Sequence, residues 1–336
     1  MHMTHPALTE RPEKRPRAAA PPARGLPPAA IRRRRRLKGL ATVALFVLPA
    51  LVLYGLLVLA PIAIAAYTSM FRWNGLGGWP EDFIGFDNFT RLFASDVFHG
   101  DLRNGLLIVV LSLVIQLPLA LGLALLLNQR MRGRAVYRLL FFAPYVLSEV
   151  ITGVLFSLIL SPEIGLANQI LRAVGLEELE RAWLADPTTV MPALFAVMTW
   201  KYFGFYMILF LAGRQGIPRE LGEAASIDGA GTWQQFRHVT LPLLGPTIRI
   251  AAFLSVIGTI QLFDLVWVLT GGGPDHASET MAVTMFQFGF KRTQIGYASA
   301  ISVVMFVLSM IFALAYLRFV MRRDTQGAVT TMGDHR

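Results

Sequence analysis

None of the 336 residues is cysteine, which removes disulfides, thiolate metal sites and cysteine nucleophiles together. Charge is nearly as scarce, with 15% Asp, Glu, Lys and Arg against about 25% in a typical soluble domain. Only four lysines occur, Lys14, Lys38, Lys201 and Lys291, and none follows a glycine, so the chain has no Gly-Lys-Ser/Thr phosphate loop of its own. The six histidines are scattered, with no pair at helical metal-ligand spacing. No cofactor or metal is called for. Glu177, Glu178 and Glu180 bunch together, but in a short polar stretch with no aromatic platform, and read as a solvated charge cluster rather than an acid-base pair.

Apolar residues fill the space the charges leave. They make up 54% of the chain, and mean hydropathy is +0.53. A bilayer-spanning helix needs roughly 20 apolar residues, and six segments qualify: 40–70, 105–127, 139–160, 190–213, 247–269 and 297–320. The expected fold is an all-α integral membrane protein with six transmembrane helices. Residues 1–38 are rich in Pro, Ala, Arg and Glu without hydrophobic period and read as a disordered basic tail. The six-span body runs from 39 to 322, and 323–336 form a second tail. The first apolar segment is too long for a cleaved signal peptide, whose core spans only about 7–15 residues.

The formal charge of +10 raises nucleic acid as a partner, but its distribution argues otherwise. Arg32 to Arg36 and Lys38 stand directly before the first apolar segment, where they hold that end in the cytoplasm beside anionic lipid headgroups. With the N-terminus inside, 23 of the 31 Lys and Arg residues fall on the cytoplasmic side and 7 outside, Lys201 lying within a span. Both termini and the 214–246 loop are then expected in the cytoplasm.

That loop contains the most informative stretch, from Gly216 to Pro246. Pro218 suits a first helical position, Glu220 and Glu223 lie near the positive end of the helix, and Gly229 can take the left-handed conformation that ends it. Leu221, Ala224, Ala225 and Asp228 share one face, and the adjacent alanines leave room for close approach. Thr232 has the spacing of an N-cap with Gln235 reaching back, and Pro242 prevents simple continuation into the fifth span. A docking helical hairpin is expected.

Glu223-Ala224-Ala225, Asp228-Gly229-Ala230, Phe236 and Leu241-Pro242 resemble, in order and spacing, the "EAA" loop of the membrane subunits of bacterial binding-protein-dependent ABC importers, sugar branch. The likeness continues through Phe83 to Phe89, Gly133-Arg134, Pro144-Tyr145, Phe263-Asp264, Leu269-Thr270, Gly272-Gly273-Pro274 and Gly296 to Ala300. It covers roughly residues 40–320 and is closest to the compact six-span members, without the extra spans and large periplasmic insertion of the maltose-type partner subunit. The resemblance implies a second homologous permease chain, two cytoplasmic ATPase subunits, an extracytoplasmic solute-binding protein and a bacterial inner-membrane location. It also implies roles: Glu223 meets the ATPase, Ala224, Ala225 and Ala230 give clearance, Gly229 makes the turn, and Leu241-Pro242 fix the exit into the fifth span. Leu269 to Pro274 does not match the ABC signature loop, so ATP hydrolysis is expected on the partner.

Polar groups inside spans are costly and usually face a cavity or a partner. Lys201, Gln261 and Asp264 stand out, with Trp267 one turn beyond Asp264. Together they are candidates for a sugar path, since amides, carboxylates and indole rings hold sugars. A Lys201–Asp264 ion pair, or a polar contact within a heterodimer, is the competing structural reading. Lys201 also admits a sugar phosphate such as glycerol phosphate as substrate. A secondary transporter would instead show internal repeats and broken helices. A membrane hydrolase would show a nucleophile beside its base.

Overall fold

A computed structural model describes residues 43–129 and 131–321, so both tails, the arginine run and Arg130 lie outside the described residues. By compactness the chain divides after Ala60. Helix α1, Val43–Thr68, is long and apolar enough to cross a membrane. All the other elements belong to the unit that begins at Pro61.

Three more helices qualify as spans by themselves: α3 (Asp96–Leu127), α7 (Val190–Gln215) and α13 (Ile295–Val320). Two bent helix pairs bring the number to six if each pair is one span. Helices α4 (Arg134–Val146) and α5 (Glu149–Ile159) meet at 96°, and α9 (Thr232–Leu243) meets α10 (Gly245–Ile260) at 65°. Shorter helices complete the set: α2 (Asp87–Phe93), α6 (Leu166–Ala173), α8 (Arg219–Ile227), α11 (Asp264–Leu269) and α12 (Met281–Phe286). Among the described residues there is no strand, only one isolated bridge between Phe71 and Phe83. The expected all-α membrane class holds, with four straight candidate spans, while the predicted segments 139–160 and 247–269 are each interrupted.

Helix α7 is the hub. Of its most apolar window 56% is buried, against 28% for α3 and 17% for α13, which keep wide apolar faces outward as a lipid-facing helix does. Val190, Leu194 and Val197 of α7 join Leu265, Val266 and Leu269 of α11 in one core. Met207, Phe210 and Leu211 join Leu117, Ala120 and Ala124 of α3 in another. Small residues set the closest approaches: at Gly204 of α7 an added Cβ would stand 2.0 Å from the Phe141 carbonyl oxygen of α4. At Gly153 of α5 it would stand 2.7 Å from Cγ1 of Val268 on α11.

Each break exposes backbone groups that membrane interior cannot hydrate, and side chains meet them. Residues Leu147 and Ser148 are extended between α4 and α5. The Lys201 ammonium, buried in mid-span, donates to the Leu147 carbonyl at 2.6 Å. A lysine at a helix centre costs roughly 2.5–3.5 kcal/mol; here its charge caps the negative end of α4, which offsets part of that cost. A further break, Gln261 to Phe263 between α10 and α11, has its Leu262 carbonyl met by the Thr280 hydroxyl at 2.7 Å. The Gly-Gly-Pro loop then returns as a hydrogen-bonded knot, with the Ser278 hydroxyl donating to Thr270 at 2.8 Å and the buried Glu279 side chain joined to Thr284 and His276. Gly296, at the start of the Gly-Tyr-Ala-Ser-Ala run, lies so close to Phe71 that a Cβ would stand 2.0 Å from its carbonyl oxygen. That run is a packing seam. Glu180 of the acidic cluster pairs with Arg172 at 2.8 Å in an exposed position.

Candidate functional site

Two features combine chemistry with access, a hairpin between α7 and α10 and a cavity between the broken spans. In the hairpin, Pro218 is the residue just before α8 rather than its first helical position. The helix ends in a complete Schellman closure: Gly229 at φ +81°, its N–H donating to Ser226 O at 3.1 Å and the Ala230 N–H to Ala225 O at 2.9 Å. Asp228 is the C-cap, so the Asp-Gly-Ala triplet is the stop signal itself. The next cap is one residue earlier than expected. Gly231 is the N-cap and its N–H donates to the Gln234 side chain at 2.9 Å. Gln235 turns back instead to the Ser226 hydroxyl and Ala230 carbonyl, both at 2.9 Å, and staples the two helices. Because the Schellman turn consumes Ala230, the extended residue that can cap α9 is Gly231.

The outer face of this hairpin is apolar without cover. Ile227 is 88% and Trp233 67% exposed, and Glu223 and Ala224 are exposed beside them while Ala225 and Ala230 are half-buried. Leu241 is half-buried, and Pro242 stands at the start of the last turn before the bend at Leu244. The six triplet residues therefore occur on one small helical hairpin, as the sequence pattern led one to expect.

The cavity, about 370 Å³, lies within the range of roughly 300–1,000 Å³ common for ligand pockets. Helix α3 contributes Ser112 and Gln116, the α4–α5 pair contributes Tyr145 and Glu149, and α7 contributes Tyr202 and Tyr206. Helix α10, the break that follows it and the first residue of α11 contribute Ser255, Thr259, Gln261, Phe263 and Asp264. Gln116 is fixed by donation to the Met198 carbonyl at 3.3 Å. The Tyr202 hydroxyl donates to Glu149, and Tyr145 stacks on Phe205 with ring centroids 4.9 Å apart. The Asp264 carboxylate is exposed and has no hydrogen-bond or ion-pair partner among the described residues.

Of the four residues singled out in the spans, Gln261 and Asp264 line the cavity and Lys201 and Trp267 do not. The Lys201–Asp264 ion pair is not formed, because the ammonium is committed to Leu147. Trp267 packs parallel to Phe263 at 5.9 Å and edge-on to Phe286 at 4.8 Å. Glu149 escaped sequence reading, although it is a lone acid inside the 139–160 segment and meets the same criterion that singled out Asp264. Tyr202 and Tyr206 gave no sequence signal, being ordinary residues of the continuous helix α7, and Tyr145 entered only through the Pro144-Tyr145 likeness; the fold brings the three to a common space.

A polytopic helical bundle whose spans break around a polar-lined cavity, with an exposed hairpin between two of them, has the build of a membrane transport subunit. The chain belongs to the family described as "Binding-protein-dependent transport system inner membrane component", which matches residues 116–324. It is a permease of the ABC-importer type. Among its relatives, the "Probable ABC transporter permease protein YurN" of Bacillus subtilis (strain 168) is 38% identical over 82% of this chain and 94% of its own length. The "Sulfoquinovosyl glycerol transport system permease protein SmoG" of Agrobacterium fabrum is 36% identical over 83% of this chain and 90% of its own. Among solved structures, a chain of a bacterial ABC transporter involved in the import of the acidic polysaccharide alginate superposes with a TM-score of 0.74. It is 25% identical over 86% of this chain and 99% of that one. Broken helices, which would also fit a secondary transporter, are thus compatible with an ATP-driven family.

Proposed function

We propose that this permease carries a sugar or related polyol into the cytoplasm, with ATP hydrolysed on two separate subunits docked at the α8–α9 hairpin. The observation that carries the cargo reading is the cavity, where amides, carboxylates, hydroxyls and aromatic rings converge as they do where sugars are bound. Relatives named for a sulfoquinovosyl glycerol system and for alginate import support it. A second permease chain and an extracytoplasmic binding protein complete the assembly, and both termini lie inside. Mechanically, closure of the ATPase pair pushes on Glu223 and the exposed apolar ridge of Ile227 and Trp233. The hairpin is continuous with α10 through the Leu244 bend, so that push reaches Gln261 at the far end of α10 and Asp264 just beyond it and re-orients the cavity. The sugar-phosphate alternative loses its support, since Lys201 caps Leu147 instead of lining the cavity.

Two measurements test this. The assembled transporter in liposomes should accumulate labelled sugar only with ATP on the hairpin side; accumulation driven by an ion gradient without ATP would overturn the reading. The cysteine-free sequence also permits single-site labelling. Ser226→Cys, exposed on α8, is expected to react with an impermeant maleimide in inverted vesicles and stay unlabelled in intact cells. The reverse pattern would overturn the orientation.

A further inference from the structure

We propose that the cavity discriminates by charge, accepting neutral and amine-bearing sugars and rejecting those with carboxylate, sulfonate or phosphate groups. The inference rests on the sugar reading above and narrows it. Two carboxylates, Glu149 and Asp264, line the space, and among the described residues no Lys, Arg or His does. The nearest cation, Lys201, interacts with Glu149 through charge alone; it is buried with its ammonium on the Leu147 carbonyl and does not line the space, so it presents no donor to a ligand and leaves Asp264 unbalanced. Recognition of an anionic sugar calls for a guanidinium fork or an ammonium directed at the anion, and this chain supplies neither at the cavity.

The groups that are present suit hydroxyl and ammonium donors. Glu149 accepts from Tyr202 through one oxygen, which leaves its second oxygen as an acceptor. Asp264 keeps both of its oxygens unpaired among the described residues, and the Gln261 amide both donates and accepts. Tyr145 and Phe263 add aromatic surface to the lining, which suits the apolar side of a pyranose. A sugar anion placed against these acceptors meets like charge at Glu149 and Asp264 with no cationic donor lining the space to receive it. The charge preference is a property of this chain's residues and is independent of the acidic cargo of its structural neighbour, from which it differs at three positions in four.

The assembled permease–ATPase complex in lipid nanodiscs, without binding protein, separates cavity selection from selection at delivery. Equilibrium binding of radiolabelled maltose, the glucosamine disaccharide and digalacturonate is measured on the wild type and on the double variant Glu149→Gln with Asp264→Asn. Maltose and the glucosamine disaccharide are expected to bind saturably, and digalacturonate at least about tenfold more weakly than maltose. The double variant keeps the size and shape of both side chains, removes their charge and turns one acceptor oxygen of each into an amide donor. It is expected to close most of the digalacturonate gap while weakening the glucosamine disaccharide relative to maltose. Digalacturonate binding the wild type as tightly as maltose would overturn the charge rule and leave sugar import standing, as would a gap unchanged in the double variant. Binding of none of the three would overturn the sugar reading and the charge rule with it.

Discussion

Gly204→Ala is expected to prevent a stable fold, although it adds one methyl group in mid-helix where alanine is the better helix former by about 1 kcal/mol. The added Cβ would stand 2.0 Å from the Phe141 carbonyl oxygen and 3.1 Å from the Phe142 Cα, both backbone atoms of α4. No rotamer change relieves that overlap, so α4 must retreat from α7. The retreat pulls the Leu147 carbonyl from the Lys201 ammonium, since Leu147 is the residue directly after α4. Overpacking costs about 1–3 kcal/mol in well-packed cores, and a buried charge left without its partner adds about 3 kcal/mol more. The expected outcome is loss of the monodisperse protein on size exclusion, or a melting temperature lowered by roughly 10 °C or more. Gly122→Ala is the control. Gly122 is also in mid-span, but a Cβ there meets nothing within 4 Å, and the isolated chain should melt as the wild type does. Equal behaviour of the two variants would show that the α4–α7 approach does not limit stability.

How far the sequence reaches is visible at the same helices. Apolar length locates α3, α7 and α13 well, because 105–127, 190–213 and 297–320 all fall inside the observed helices. It passes over the breaks, since hydropathy averages side-chain polarity and carries no information on backbone direction. Leu147 and Ser148 are extended between residues that remain apolar enough for one continuous span. The signals were present but local: Pro144 within α4, and a lone acid, Glu149, directly after the bend. Likewise Gln261 is the C-cap of α10 and Asp264 the first residue of α11, so polar residues chosen as substrate candidates also mark where the helix ends.

Lys201 shows why residue type alone left its role open. Its cost in a membrane demands a partner, and sequence ranks acids first because opposite charges are the familiar solution. A helix C-terminus also carries about half a negative charge, and only the fold reveals that one terminates inside the bundle beside Lys201. The hairpin was legible for the opposite reason. Its chemistry is local, built from a left-handed glycine and short-range caps, and such signals survive without knowledge of tertiary structure. Even so, the cap shifted from Thr232 to Gly231, because the Schellman turn and the cap of α9 compete for the same two residues.

Gly229→Val is expected to uncouple the transporter while leaving the membrane bundle intact. Space is not the obstacle, as a Cβ at Gly229 meets nothing within 4 Å. The obstacle is φ +81°, which costs an L-residue roughly 1–2 kcal/mol and a β-branched one more, because its second γ-group also crowds the backbone. Few interactions hold the exposed hairpin, chiefly the two Schellman bonds and the Gln235 staple to Ser226 and Ala230. The strain therefore falls on the geometry that presents Glu223 and Ile227. ATPase pull-down and sugar uptake should fall by about tenfold or more, the equivalent of 1.4 kcal/mol, with the melting temperature of the isolated chain unchanged. Asn tolerates the left-handed region better than other side chains, so Gly229→Asn should retain most of the activity. Glu223→Lys offers the independent comparison: it leaves the backbone alone, reverses an exposed charge, and should weaken the same association. If valine and asparagine behave alike at 229 while Glu223→Lys still impairs docking, the interface depends on the charge and not on the turn. If neither position affects pull-down, the ATPase docks elsewhere and the coupling role of the hairpin fails.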